Sequence, residues 1–217
     1  MRKKTAIIIT LAVLVSLVGA AAFAGQPSGI SDIVSHWARQ QIMAAIDQGI
    51  MSGAGDGRFY PDRALTRAEL AVVLHKLFKL DYGDIQFIKA PEIADYYDDV
   101  PEGTWYAEAA MLMAVNKILP GDSREFKPRQ PVTRLEVAQA INRCFTVKEI
   151  PVVTIMMLPI YEDTRDMEGE QAIAFVTNTG IMKGYNNYFR PHDPLTRAEA
   201  ACVFVNTAGV IKQYRNE

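Results

Sequence analysis

The sequence predicts an all-α fold, in which three helix-loop-helix repeats surround a central helical bundle with pseudo-threefold symmetry. Two observations support this fold: a five-residue motif recurs three times, and the apolar residues around it follow helical spacing. The copies begin at Leu65, Val132 and Leu195, each contains Thr-Arg-x-Glu, and the threonines are 67 and 63 residues apart. Because one such unit is too small to bury a core alone, the units are expected to pack together.

The first helix of the first repeat is marked by its apolar stripe. Ala38, Ile42, Ala45 and Ile46 follow the spacing of one buried helical face, and Gly49 is a suitable stop. A short helix that ends just before Gly49 is therefore expected.

The second helix of each repeat begins at the recurring motif. Thr66 as N-cap and Glu69 at the third helical position form a capping box, in which each side chain satisfies a backbone N–H of the other. The same pairs recur as Thr133 with Glu136 and Thr196 with Glu199. These pairs predict three helix starts at equivalent positions.

The segment between the two helices also recurs. An aromatic-x-Pro step precedes each motif, as Phe59-Tyr60-Pro61, Phe126-Lys127-Pro128 and Phe189-Arg190-Pro191. Turn glycines lie further upstream, at positions where a side chain is expected to be costly: Gly53, Gly121 and Gly184.

Composition and the rarer residue types restrict the class of protein. A chain with 49% hydrophobic and 22% charged residues is globular, and a net charge of −2 argues against nucleic acid as a partner. The cysteines, Cys144 and Cys202, lie in helical segments, where buried free thiols are expected and a single bridge is the alternative. The three histidines show no metal-ligand spacing, so no metal site and no cofactor are predicted.

The amino terminus has the features of an export signal. A basic stretch from Arg2 to Lys4 precedes an apolar run, and Ala22-Phe23-Ala24 offers a cleavage site for signal peptidase. Residues 1–24 are therefore predicted to be a signal peptide, which leaves no transmembrane segment after cleavage. An uncleaved anchor is the alternative, because the apolar run approaches the length that spans a bilayer.

The repeated motifs together resemble the S-layer homology family, with repeats at 30–80, 95–146 and 160–211. The match rests on Ser31-Asp32-Ile33, His36-Trp37-Ala38, the Gly53-to-Pro61 segment and Leu65-Thr66-Arg67-Ala68-Glu69, with weaker second and third copies. The resemblance implies a secreted, non-enzymatic module at the cell wall or S-layer. It also implies that grooves between the lobes bind secondary cell-wall polysaccharide, through a terminal sugar with an anionic pyruvate ketal, or modified peptidoglycan.

The repeated arginines, Arg67, Arg134 and Arg197, are the first candidates for ligand contact. A cation in the first helical turn is disfavoured by the positive end of the helix dipole unless an anion lies beside it. A ligand carboxylate is expected to receive the guanidinium fork and the free N–H groups of the helix start. The alternative is an arginine paired with a carboxylate of the protein.

Aromatic and acidic residues complete the predicted site. Trp37 and Trp105 are expected to stack on sugar or to fill the junction between lobes, while Glu168 replaces tryptophan in the third repeat. Asp32, Asp99 and Asp163 are expected to accept sugar hydroxyls or to cap the first helix of their repeat. The turn glycines Gly53, Gly121 and Gly184 are expected to let the backbone approach the ligand. Grooves of the first and second repeats are expected to dominate, with Arg197 and Asp163 in a weaker set.

Three other functions compete with polysaccharide binding as explanations of the sequence. A wall-polymer hydrolase requires placed catalytic carboxylates or a nucleophile motif, and the recurring carboxylates are explained by capping or by the repeat. A calcium loop of EF-hand type fails because Ala54 and Arg63 fall where carboxylates are required. An envelope protein as partner remains an alternative, which pull-down from wall extracts distinguishes from a glycan.

Overall fold

The computed structural model describes residues 30–83, 89–119, 124–153 and 161–215. The described residues form six α-helices, short 3-10 turns and no β-strand, which confirms the all-α class. The predicted signal peptide, residues 1–24, lies outside the described residues. The helices are α1 Arg39–Asp47, α2 Arg67–Phe78, α3 Ala107–Val115, α4 Arg134–Val147, α5 Glu170–Asn178 and α6 Arg197–Arg215.

The predicted helix starts and stop are confirmed. At the start of α2, the Thr66 N–H donates to Glu69 Oε2 at 2.9 Å, and the Glu69 N–H donates to Thr66 Oγ1 at 3.3 Å. The equivalent pairs form before α4 and α6. Gly49 follows α1 in the left-handed conformation, with φ of +68°, and its N–H donates to the Ile46 carbonyl. Both ends follow from local chemistry, because capping side chains and a left-handed glycine satisfy terminal backbone groups.

The repeats interlock through their helices in a cyclic order. The first helix of each repeat packs on the second helix of the repeat before it: α3 on α2, α5 on α4, and α1 on α6. Helix α2 also packs on α4, within one continuous apolar core. The first and last repeats are therefore joined directly, so the expectation of a shared core is confirmed.

A ring of backbone hydrogen bonds holds the three motif starts together. The Leu65 N–H donates to the Leu195 carbonyl, Leu195 to Val132, and Val132 to Leu65, at 2.8 to 2.9 Å. The three side chains are fully buried at the same place. This ring brings the starts of α2, α4 and α6 side by side, which fixes where the repeated arginines lie.

The structure tests the predicted state of the cysteines and shows whether any described helix could span a membrane. Both cysteines are free thiols, so the alternative of a single bridge is wrong. Cys144 is buried as expected, whereas Cys202 is only partly buried, and burial raises the pKa of both thiols above the ordinary value. None of the helices that the structure describes is long and apolar enough to cross a membrane.

Candidate ligand-binding grooves

Each repeated arginine reaches across to the aromatic-x-Pro loop of the next repeat in the cycle. Arg197, for example, donates from Nε to the Phe59 carbonyl at 2.8 Å, and its guanidinium lies 4.4 Å from the centre of the Phe59 ring. Arg67 makes the same contacts with Phe126, and Arg134 with Phe189. The arginines thus clamp the repeats together, a structural task that capping and dipole arguments do not reveal.

The backbone N–H groups beside these arginines are also occupied, which corrects one prediction. In α2, the N–H groups of Arg67 and Ala68 donate to the carbonyls of Gln130 and Pro128, each at 3.0 Å. Helices α4 and α6 repeat this arrangement with the loops of repeats 3 and 1. The expectation of free N–H groups for a ligand carboxylate is therefore wrong, because carbonyls of the neighbouring repeat fill the positive ends of the helices.

The arginines differ in their acidic partners. Arg67 pairs with Glu136 at 3.2 Å, and Arg197 pairs with Glu69, so the alternative of a protein carboxylate holds for these two. Arg134 Nη1 has no hydrogen-bond partner among the described residues, whereas its Nη2 donates to the Lys183 carbonyl. Burial lowers the pKa of Arg134 and Arg197, but a guanidinium stays charged at neutral pH.

The repeated aspartates hold the loops from the other side. Both oxygens of Asp32 accept backbone N–H groups, from Phe59 at 2.9 Å and Tyr60 at 2.7 Å. Tyr60 has a left-handed backbone with φ of +56°, a conformation that costs energy in a residue other than glycine. Asp99 and Asp163 repeat these contacts with their own loops. The aspartates therefore do not cap the first helices, and the structure gives them a loop-bracing task.

Close neighbours crowd two of the predicted turn glycines. A Cβ on Gly53 would lie 3.0 Å from the Arg58 carbonyl oxygen, and one on Gly184 would lie 2.3 Å from Tyr161 Cε1. Neither has a positive φ, so crowding alone makes a side chain costly there. Gly121 lies outside the described residues.

Open grooves lie beside two of the arginines, and we number the grooves by the repeat that supplies the second helix. Groove 1 has a volume of about 320 Å³, and most of the residues that line it belong to repeat 1. Repeat 2 contributes Trp105, which is 67% exposed, and repeat 3 contributes Arg197. The residues that line groove 1 are Ile50, Met51, Ser52, Gly53, Ala54, Arg63, Glu69, Val72, Val73, Lys76, Trp105 and Arg197.

Groove 1 carries an excess of positive charge. Three cations, Arg63, Lys76 and Arg197, line it against one carboxylate, Glu69. Glu69 already pairs with both arginines, while Lys76 makes no ion pair or hydrogen bond with the residues that the structure describes. A free ammonium group beside a half-neutralised arginine pair favours an anionic guest.

Groove 3 is built in the same way from different repeats. It has a volume of about 440 Å³, with Trp37 from repeat 1, Arg134 from repeat 2 and Lys183 with α6 from repeat 3. Trp37 is 69% exposed. Its two cations, Arg134 and Lys183, are accompanied by one carboxylate, Glu199. Asn206 occupies the position that Lys76 has in groove 1, because each of them follows the capping glutamate of its own helix by seven residues. The other residues that line groove 3 are Gly180, Ile181, Met182, Cys202 and Val203.

A third cavity lies between α4 and the start of α5, and it is chemically different. It contains Glu168 and Glu170 against the single cation Arg143, and none of its described lining residues is a tryptophan or a motif arginine. Glu168 thus occupies the tryptophan position, as the sequence predicts, and brings negative charge there. The remaining lining residues are Gln139, Asn142, Met167, Gly169, Gln171 and Ala172.

The grouping of candidates differs from the sequence expectation in one important respect. Trp105 shares a groove with Arg197, and Trp37 shares one with Arg134, whereas Arg67 lies in neither groove. The expected weaker arginine, Arg197, is therefore part of the most cationic groove. Each groove combines residues of three repeats, so the tryptophan and the arginine that share a groove come from different repeats; that the grooves of the first and second repeats dominate stays a prediction.

Sequence reasoning missed Lys76, Arg63 and Lys183. Lys76 follows Glu69 by seven residues, two helical turns along the same face, so the spacing already placed it beside the capping glutamate. Arg63 and Lys183 lie in loops, and no periodic signal marks them. Both tryptophans are largely exposed, so the alternative that they only fill the lobe junctions is wrong.

The chain is thus an interlocked helical module with two exposed tryptophans beside cationic grooves. The S-layer homology domain family matches the chain at residues 29–71, 96–138 and 161–201, which is more than half of its length. The chain belongs to this family, as its motifs indicate. The family and its surface-layer relatives give the chain a location at the cell surface.

Relatives include surface-layer proteins and an enzyme. S-layer protein EA1 of Bacillus anthracis is 26% identical over 195 residues, which are 89% of this chain and 21% of that protein. The surface-layer 125 kDa protein of Lysinibacillus sphaericus is 26% identical over 95% of this chain and 17% of its own length. Exoglucanase XynX of Acetivibrio thermocellus is 26% identical over 82% of this chain and 17% of its own length. The chain thus spans less than a quarter of each relative.

Proposed function

We propose that this chain is a non-catalytic module that anchors to the cell wall by binding an acidic wall polysaccharide, with the carboxylate of a pyruvylated sugar in groove 1. The observation that carries the proposal is the composition of that groove, where three cations face one carboxylate beside a largely exposed tryptophan. Surface-layer proteins and a glucanase match the same module, which supports an anchoring role for the part they share.

The proposed roles in groove 1 follow from the charges, hydrogen-bond donors and apolar faces that the protein itself leaves unused. Lys76 has no partner among the described residues and directly pairs with the carboxylate of the ligand. Arg197 is nearly buried and donates from all three nitrogens to protein oxygens, so it adds positive potential and shapes the wall. Trp105 is 67% exposed and offers an apolar face for a sugar ring.

Groove 3 is proposed as a second site on the same polymer. Arg134 Nη1 and Lys183 supply the cationic groups, and Trp37 supplies the platform. Its charge excess is smaller than that of groove 1, because Asn206 replaces the lysine of α2. Two grooves on one chain raise the retention on a polymer by avidity of roughly 10² to 10⁴ over a single site.

Retention on purified walls tests the proposal. The chain is co-sedimented with native walls and with walls from which the ketal has been removed by mild acid. We expect Lys76→Ala to weaken binding about tenfold, which corresponds to about 1.4 kcal/mol. Lys79→Ala is the matched control, because it removes an exposed lysine three residues away that does not line the groove. Trp105→Ala should weaken binding to native walls more than Trp37→Ala does.

A thiol reporter locates the ligand without altering the cationic groups. Cys202 lines groove 3, whereas Cys144 is buried, so a maleimide should label native protein at Cys202 alone. Val72 occupies the equivalent position in groove 1, three residues after the capping glutamate, so Val72→Cys with Cys202→Ser moves the reporter there. Wall polysaccharide should protect both reporters, and groove 1 at lower concentration.

Three outcomes of these experiments would contradict the proposal. Equal retention on native and ketal-free walls would exclude the pyruvylated sugar, and retention that survives removal of all polysaccharide would favour peptidoglycan or an envelope protein. Release of soluble sugar from walls by the purified chain would establish a hydrolase instead.

A further inference from the structure

A small cavity adjoins groove 1 at the ends of α1 and α2. We call it the annex; it has a volume of about 200 Å³ and shares two lining residues with groove 1, Ile50 and Lys76. Its other lining residues are Gln48, Gly49, Leu77 and Ala208. Lys76 therefore stands between two neighbouring compartments, one of which is the proposed carboxylate site.

The annex is lined by one small residue that breaks the repeat pattern. Phe78, Phe145 and Ala208 each follow the N-cap threonine of their helix by twelve residues, so they are equivalent positions of α2, α4 and α6. Phe78 and Phe145 are buried and pack edge to face. In α6 the same position has only a methyl group, and this Ala208 lines the annex together with residues at the end of α1.

The lining of the annex is suited to a neutral, hydroxylated guest. Gln48 is exposed and offers an amide donor and acceptor, while Leu77 and Ala208 provide apolar surface. Lys76 is the one charged side chain among the lining residues, and it belongs to groove 1 as well. At Gly49, nothing lies within 4 Å of where a Cβ would be, so the approach over the backbone is open.

From this juxtaposition we infer that the annex is a second sugar subsite, which holds the neutral sugar linked to the acidic sugar in groove 1. The inference rests on the proposed function, since it takes the ligand of groove 1 as its starting point. The ammonium group of Lys76 lies at the junction, where it contacts the carboxylate on one side and a hydroxyl or linking oxygen on the other. The annex thus makes groove 1 selective for the end of a chain over a free acidic sugar.

Calorimetry with two synthetic probes tests the inference. The first is a methyl hexoside that carries a pyruvate ketal, and the second is the disaccharide in which that sugar is linked to a neutral hexose. We expect the disaccharide to bind the native chain about tenfold more tightly than the hexoside. Ala208→Phe restores the side chain of the other two repeats and closes the annex, so it should remove this gain and leave the affinity for the hexoside unchanged.

Two further variants keep the test independent of folding. Ala208→Ser is the matched control, because it changes the same position and leaves the annex open, so the gain should persist. Gln48→Ala removes the amide without adding bulk and should reduce the gain while thermal unfolding stays unchanged.

The outcomes separate the inference from the proposed function. Equal affinity of the native chain for the two probes, or a full gain in Ala208→Phe, would overturn the subsite and leave the anchoring function in place. If the native chain binds neither probe but is still retained on walls, the proposal that its ligand is a pyruvylated sugar is overturned.

Discussion

At the scale of the residue, the repeated arginines show how a local argument can find the right position and the wrong partner. The helix dipole disfavours a cation in the first turn unless negative charge is near. In this protein the backbone carbonyl of the phenylalanine in the next repeat supplies partial negative charge beside each arginine. Glu136 adds a full negative charge beside Arg67, and Glu69 does so beside Arg197. The exposed cation in groove 1 is instead Lys76, two helical turns after the capping Glu69.

The aspartates give a residue-scale prediction about stability. Asp99 accepts two backbone N–H groups at 2.7 Å, so Asp99→Ala should lower the free energy of unfolding by about 2–4 kcal/mol. Its neighbour Asp98 is exposed and pairs with Arg124, so Asp98→Ala is a control that should leave the stability nearly unchanged. Urea denaturation measures both. Unaltered stability with lost wall binding in Asp99→Ala would return this carboxylate to the ligand site.

At the scale of the element, the second helices begin alike and continue differently. All three start with a capping box, but α2 has 12 residues, α4 has 14 and α6 has 19. The longer α6 packs against α1 and closes the cycle of repeats. Ala208, in the second half of α6, lines the annex beside α1.

Gly209 offers a prediction that tests α6 by itself. It lies inside the helix without a positive φ, and a Cβ there would have no atom within 4 Å. Gly209→Ala should therefore raise the free energy of unfolding by about 0.5–1 kcal/mol, because alanine restricts the unfolded chain and suits a helix better. Gly184→Ala, which would place a Cβ 2.3 Å from the Tyr161 ring, should do the opposite. Thermal unfolding of the two variants should give shifts of opposite sign.

At the scale of the whole molecule, the three repeats are interdependent in their packing and in the lining of groove 1. Helix α1 packs on α6, and Arg197 of repeat 3 clamps Phe59 of repeat 1. Groove 1 takes residues from all three repeats, so a repeat cannot form it alone. Charge is shared unequally among the cavities, and groove 1 has the largest positive excess.

Truncation tests this interdependence. A chain that ends at residue 160 loses α6, the ring contact from Leu195 and the Arg197 clamp, so it should lack a cooperative thermal transition by circular dichroism. Addition of a separate 161–217 segment should restore both the transition and wall retention. A truncated chain that unfolds cooperatively by itself would show that repeats 1 and 2 form an independent unit.

The starts of the second helices and the end of α1 were predictable from sequence because their causes are local. Capping boxes, apolar stripes and a left-handed glycine each involve residues a few positions apart, and all are found as predicted. The tryptophans were predictable as candidates, because an amphipathic ring in a repeated motif is a platform wherever it is exposed. The composition of the grooves was not predictable, because it depends on which repeats become neighbours.

The sequence by itself determined the number of repeats, the helical class and the starts of the three second helices, α2, α4 and α6. Only the tertiary structure decided that Arg197 joins Trp105, that Arg134 joins Trp37, and that the aspartates brace loops. The physical reason is the cyclic packing of α1 on α6, which brings together residues more than a hundred positions apart. Local propensity carries no information about such contacts, since burial of the shared core selects them.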